Sequence, residues 1–250
     1  MLNIIPIPAF ADNYIWLLHN SRHAVVVDPG DAQPVIATLE KLNLTLTAIL
    51  ITHHHSDHID GVSELLTHQM APVYAPKYEH FNFEHIKLAE GDEITLPEIA
   101  QTFHVMWLPG HTLGHIAYVN DEMLLCGDVL FGAGCGRLFE GTPLQMLQSL
   151  QRLKALNEKT EIFCTHEYTA KNIAFALTLE PDNDDLLMRQ KHVLALRAHN
   201  QASLPSTIEL ELKTNPYLRC QQAAIIKNSQ SKNVDELSVF TAIRSLRNHY

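Results

Sequence analysis

Between positions 53 and 60 the chain carries four histidines and two aspartates, within the run THHHSDHIDG (52–61). The apolar stretch LTLTAILI (44–51) stands directly before it and reads as a buried strand. Imidazole and carboxylate together suit zinc, iron or manganese better than calcium, which prefers oxygen alone. In an extended segment alternate side chains share a face. His53 and His55 therefore point at one ion from the strand exit, and His54 points away. Asp57 and His58, adjacent at a turn, face a second ion. These four residues complete neither site, so further ligands are expected downstream. His111 in LPGHTLGH follows the run FHVMWL, Asp128 in LLCGDVLFG follows EMLLC, and His166 in EIFCTHEYT follows EIFC. Each stands beside a glycine or threonine, where backbone can approach closely. A metal-free histidine loop would explain the first cluster poorly and the other three not at all. The remaining histidines mostly stand singly and read as surface or satisfied core residues.

The elements that must position these groups alternate between short strands and helices. NIIPI, YIWLLH and HAVVVD read as strands, the last ending at the turn signal Asp28-Pro29-Gly30. Helices are expected over 33–42 and from Asp60 or Gly61 through Gln69, with strands at 72–75, 103–108, 115–119, 122–125 and 161–164. Thr142-Pro143 opens a helix reaching about Leu156, a hydroxyl cap followed by proline at the first helical position. After residue 168 the texture becomes helical, with helices over 169–179 and 184–200. A boundary is therefore expected near residue 168.

Composition limits the alternatives. With 250 residues, 46% hydrophobic and 18% charged, the chain can build its own core. No apolar run approaches the roughly 18 residues of a membrane span. The opening MLNIIPIPAF lacks a basic region and a long apolar stretch, so no secretory leader is expected. A net charge of -10 without a block of Lys or Arg argues against nucleic acid as a partner. Cys126, Cys135, Cys164 and Cys220 form no C-x-x-C, so a thiolate zinc site is not expected, and buried thiols in a cytoplasmic protein are.

THHHSDH resembles the T-H-x-H-x-D-H signature of the metallo-β-lactamase superfamily, and PGHTLGH, GD and THEYT are similar to its later motifs. The segments GAGCGRLFEGT (132–142), KTNPYLR (213–219) and AIRSLR (242–247) narrow the resemblance to the hydroxyacylglutathione hydrolase (glyoxalase II) family, almost end to end. The resemblance implies an α/β fold, an αββα sandwich over 1–168 followed by a helical, glutathione-binding domain over 169–250. It implies two divalent ions per chain, zinc foremost with iron or manganese as alternatives. One ion takes His53, His55 and His111; the other takes Asp57, His58 and His166; Asp128 bridges both. His115 resembles a structural position rather than a ligand. The implied reaction is hydrolysis of S-D-lactoylglutathione to glutathione and D-lactate, the second step of methylglyoxal detoxification. Asp57 and Asp128 serve the reacting centre, with a hydroxide shared by the metals as nucleophile. Arg137, Phe139, Tyr168, Arg244 and Arg247 match substrate-binding positions, although the family commonly has tyrosine where Phe139 stands. A monomer is expected. The competing readings are a mononuclear-iron glutathione persulfide dioxygenase and another hydrolase of the same superfamily, such as a tRNA-processing nuclease. The absence of a basic surface patch counts against the nuclease.

Overall fold

The computed structural model describes residues 2–250. Its internal contacts divide the chain into two compact units. One comprises the residues up to Trp107 with Leu113–Asn120 and Leu124–Gly127; the other comprises Leu108–Thr112, Asp121–Met123 and Asp128–Tyr250.

The first unit is built on a six-stranded sheet. Asn3–Ala9, Asn13–His19 and His23–Val27 run antiparallel in sequence order, and Thr45–Leu50, Val73–Pro76 and Ile86–Leu88 extend the sheet in parallel. Valine, isoleucine and leucine fill its central strands, and side chains such as Val26, Ile49 and Leu17 are fully buried. The helix Ala32–Leu42 lays Val35 and Leu39 into that core. It starts where Asp31 accepts a hydrogen bond from Gln33 N and stops at Asn43, which takes the left-handed conformation at φ 52°. Ser56–Ile59 forms a single helical turn, and the next helix begins at Val62 and ends at His68. The break falls at Gly61, whose N–H donates to Pro29 O at 3.0 Å instead of continuing the preceding turn.

An antiparallel meander completes the unit: Glu93–Leu96, Gln101–Trp107, Ile116–Val119 and Met123–Gly127 pair in order. Tyr118 ties it to the first sheet. Its hydroxyl lies 2.9 Å from Ile51 O and 3.0 Å from Tyr74 O, at the exit of the strand that leads to the histidine loop. Burial pushes the phenol well above its ordinary pKa, so it remains a donor.

The second unit is mainly helical. Glu161–Cys164 pairs antiparallel with Ser206–Thr207, and Leu130–Phe131 folds back on Gly134–Cys135. Around them stand the helices Pro143–Lys154, Thr169–Leu179, Asp184–Ala198, Ile208–Thr214, Ala223–Asn228 and Glu236–Asn248. The first carries a full capping box between Thr142 and Gln145, with proline next in line. Asn183, Thr207 and Asp235 cap three of the others. Arg189 and Glu211, both buried, pair at 2.6 Å beneath the helices. All four cysteines are free and buried. No helix among the described residues is long and apolar enough to cross a membrane.

Candidate metal centre

In the first unit His53 is fully buried at the end of the strand Thr45–Leu50. Its Nδ1 lies 3.0 Å from Thr52 Oγ1. Thr52 spends its own proton on Asp28 Oδ2 at 2.7 Å, and its backbone N–H donates to Asp28 Oδ1 at 2.8 Å. The hydroxyl can therefore only accept from His53, which places the proton on Nδ1 and the lone pair on Nε2. That Nε2 converges with His55 Nδ1 at 3.0 Å. Asp28 also faces His58: its Oδ2 lies 3.0 Å from His58 Nδ1, leaving His58 Nε2 3.6 Å from Asp57 Oδ2. The Asp57 carboxylate is turned by Asn13, whose Nδ2 donates to Oδ2 at 2.9 Å. His54 points elsewhere and pairs with Glu79 at 3.2 Å, as alternation along the strand exit demands. His115 is buried and stacks on the His53 ring at 4.7 Å. Gly127, at φ 49°, is required beside them, since a Cβ there would lie 2.3 Å from Thr52 Oγ1.

In the second unit His111 Nε2 and His166 Nε2 approach one oxygen of Asp128, at 3.4 and 3.3 Å. His111 gives its Nδ1 proton to Arg137 O at 2.7 Å, so its Nε2 is a lone pair facing a carboxylate. Two acceptors at that distance need a cation between them. A tetrahedral zinc held at about 2.0–2.1 Å by each ligand spaces neighbouring ligand atoms by about 3.3 Å, and the separations within each unit bracket that value. The donor set therefore fits a divalent ion. Of all the described His, Cys, Asp and Glu side chains, those grouped as able to hold a metal are His53, His55, Asp57, His58, His111, Asp128 and His166, the seven expected from the sequence.

Residues 10–166 match the metallo-beta-lactamase superfamily model, and residues 167–250 match the hydroxyacylglutathione hydrolase C-terminus model. A protein of Methylobacillus flagellatus named hydroxyacylglutathione hydrolase is 55% identical over 250 residues, covering 100% of both chains. One of the same name from Photobacterium profundum is 50% identical over 254 residues, again covering 100% of both. The chain belongs to the hydroxyacylglutathione hydrolase family. Its fold is that of the metallo-β-lactamase superfamily. The crystal structure of ETHE1 from Myxococcus xanthus, at 22% identity and a TM-score of 0.70, covers 98% of this chain and 91% of that one. That likeness shows the fold alone.

The positions expected from the sequence to bind substrate lie in the second unit. Arg137, Tyr168, Arg244 and Arg247 line one pocket of about 220 Å³, with Cys135 and Asn172 in its wall. Phe139 is not in that lining. It is 60% exposed, with its ring edge-on to His111 at 5.3 Å and the Arg137 guanidinium 5.3 Å from its centroid. Tyr168 stacks parallel to His166 at 4.6 Å, so the phenol and the imidazole hold each other's planes. Burial pushes the Cys135 thiol up, against the opposing pull of Arg244.

The wall of this pocket is a backbone segment held by side chains from distant helices. Asn215 Nδ2 donates to Phe131 O at 3.2 Å and Gly134 O at 2.9 Å. Asn172 Nδ2 donates to Gly132 O at 3.0 Å, and Ala133 N donates to Glu211 Oε2 at 2.8 Å. Arg244 Nη1 donates to Cys135 O at 2.8 Å. Among these supports the sequence marks only Arg244 directly. Asn172, one helical turn beyond Tyr168, carries a weak periodic signal, and Asn13 and Asp28 carry none that identifies a role at the metals.

Proposed function

We propose that the chain hydrolyses the thioester bond of S-(2-hydroxyacyl)glutathiones, S-D-lactoylglutathione foremost, to glutathione and a 2-hydroxy acid, the second step of methylglyoxal detoxification. The observation that carries the substrate class is the match of residues 167–250 to the hydroxyacylglutathione hydrolase C-terminus, the stretch containing Tyr168, Arg244 and Arg247. We assign 1–168 to metal binding and 169–250 to substrate binding. His53, His55 and His111 are assigned to one divalent ion, Asp57, His58 and His166 to the other, and Asp128 to both, with zinc as the proposed metal at each. Ions held there supply a water that is nucleophilic at neutral pH and a Lewis acid for the thioester carbonyl.

The protein's own part is to orient and to hold. Asp28 and Thr52 fix the His53 tautomer, Arg137 O fixes that of His111, and Asn13 keeps the Asp57 carboxylate turned. Glutathione thioesters are anionic, and this chain has a net charge of -10, so local cations must draw the substrate in. Arg137, Arg244 and Arg247 suit its carboxylates, because a planar guanidinium can bind them bidentately. Asp57 and Asp128 are the carboxylates assigned to the reacting centre. No side chain need protonate the leaving sulfur, because a thiol of pKa about 8.5 departs readily as thiolate. Free, buried cysteines fit the reducing cytoplasm, where we place the enzyme as a monomer.

The test is steady-state hydrolysis of S-D-lactoylglutathione, followed at the thioester absorbance, together with elemental analysis. Two ions per chain and turnover abolished by prolonged chelation are expected. One iron per chain with oxygen uptake on glutathione persulfide would replace this reading with a dioxygenase.

A further inference from the structure

We propose that Glu211, buried and paired with Arg189, is a positioning residue for the metal centre. It anchors the tip of the hairpin over 130–135, whose body supports Asp128, His111 and His166. The inference rests on the reading of those three side chains as metal ligands.

The helix Ile208–Thr214 carries two glutamates with opposite surroundings. Glu209 is exposed and pairs with Lys213 at 2.6 Å, one turn along the helix. Glu211 has no exposure at all, and each of its oxygens accepts two hydrogen bonds. Oε1 receives Arg189 Nη2 at 2.6 Å and the Ser206 hydroxyl. Oε2 receives Ala133 N at 2.8 Å and Asn215 Nδ2 at 2.9 Å. Burying two charges strips both of water, and a buried pair often stabilises no better than apolar side chains of its size. Stability alone therefore gives little reason for this one. Its second oxygen points to another use, because both bonds to it lead to the hairpin.

Turns ordinarily face solvent. This one is buried: Ala133 packs with Ile173, Ala176, Leu186 and Val193 between two helices. Ala133 also takes the left-handed conformation at φ 53°, uncommon for a residue with a Cβ. Away from water its N–H needs a protein acceptor, and Glu211 is that acceptor. Asn215, itself held by Glu211, extends the grip to Phe131 O at 3.2 Å and Gly134 O at 2.9 Å.

Three candidate ligands lean on the hairpin. Asp128 stands two residues before its first strand. Gly136 N–H, donating to Val129 O at 3.1 Å, carries the pairing toward it. There the two arms touch, since a Cβ on Gly136 would lie 1.9 Å from Asp128 O. Arg137 stands two residues past the second strand, and its carbonyl receives the His111 Nδ1 proton at 2.7 Å. Phe131, in the first strand, sets its ring edge-on to His166 at 5.7 Å and to Tyr168 at 5.5 Å. A shift at the tip therefore reaches all three ligands.

The experiment compares full-length E211Q, the double variant R189M/E211L and the surface control E209Q with the unaltered protein. In E211Q the amide oxygen should stay with Arg189, because a charged donor makes the stronger bond. The amide NH2 then faces Ala133 N–H and Asn215 Nδ2, donor against donor, and the tip is released. After chelation, zinc affinity is measured by competition with a chromophoric chelator. Hydrogen exchange over 130–137 and the melting temperature are recorded on the metal-free form. E211Q is expected to bind zinc about 10-fold more weakly, the lower end of the range for loss of an orienting partner, since Glu211 acts at one remove. Exchange over 130–137 should quicken, and E209Q should match the unaltered protein in both. A purely structural role would lower the melting temperature and leave zinc affinity of the folded protein unchanged. Unchanged zinc affinity in folded E211Q therefore overturns the proposal. The same result in R189M/E211L, which strands no charge, does so if E211Q fails to fold. Zinc bound by none of the proteins, the unaltered one included, overturns the metal reading instead. Both readouts are made without substrate, so they are independent of the assigned reaction.

Discussion

Asp28→Asn tests whether the metal loop is held in place by a residue outside the ligand set. Asp28 is 2% exposed and accepts two hydrogen bonds, from Thr52 N at 2.8 Å and Thr52 Oγ1 at 2.7 Å, and its Oδ2 also lies 3.0 Å from His58 Nδ1. An asparagine keeps the shape but turns one acceptor into a donor. With its oxygen toward Thr52 Oγ1 and His58, the amide NH2 faces the Thr52 N–H, and one buried donor is stranded. With the oxygen toward Thr52 N, two contacts are lost instead. The first arrangement is the milder, and a stranded buried donor costs about 1–3 kcal/mol. The metal-free protein should therefore melt at a lower temperature by that margin. A second effect falls on metal affinity. In the first arrangement the amide oxygen is a weaker acceptor than the carboxylate for the Thr52 hydroxyl; in the second the amide NH2 donates to that hydroxyl, which then donates to His53 Nδ1 and moves the ring proton to Nε2. Loss of an orienting partner weakens binding by about 10–100-fold, or about 1.4–2.7 kcal/mol. Chelator competition on the folded, metal-free variant measures this directly. Zinc affinity equal to that of the unaltered protein would refute the claim that Asp28 sets the His53 tautomer.

Asp128→Ala should weaken binding of both ions and cut kcat severely, because it removes the oxygen that His111 and His166 both face; His54→Ala should do far less, and comparable losses would show that the wrong side chains were assigned. Removing the metals by prolonged chelation should lower the melting temperature by an amount that grows with the free ion restored, since ions that bind only the native state stabilise it by mass action; a melting temperature insensitive to added zinc would argue against a native-state site. Burial raises the pKa of Cys135 and Cys220 above the thiol norm, so at pH 8 both stay protonated and the folded protein should react slowly with a thiol reagent until it is denatured; prompt modification of the native form would contradict the buried placement of its thiols.

The seven candidate ligands were legible because each stands where a strand ends, and a strand end is a local event written in a few consecutive residues. His53 and His55 share a face by alternation alone. The supports of those ligands were not legible. Asp28 reaches Thr52 across 24 positions and Asn13 reaches Asp57 across 44, through strand neighbours that no short window reveals. Helix starts with a hydroxyl or carboxylate cap, such as Thr142, were placed correctly, because capping chemistry is local. The helix expected to open at Asp60 or Gly61 and run through Gln69 is found with Gly61 as its N-cap and Gln69 as its C-cap.

The segment from Phe131 to Cys135 has its backbone groups satisfied by Asn172, Glu211, Asn215 and Arg244, side chains belonging to four separate helical or capping positions beyond residue 168. A loop wired in this way cannot be inherited separately from its supports. Exchanging the C-terminal helices for those of another superfamily member would leave its carbonyls and an N–H buried and unanswered, even if every metal ligand were kept. The chimera's defect would appear at the Phe131–Cys135 segment, in residues that had not been altered. The pocket can therefore change by point substitutions in its lining, such as at Arg137, but not by exchange of the helical region as a cassette.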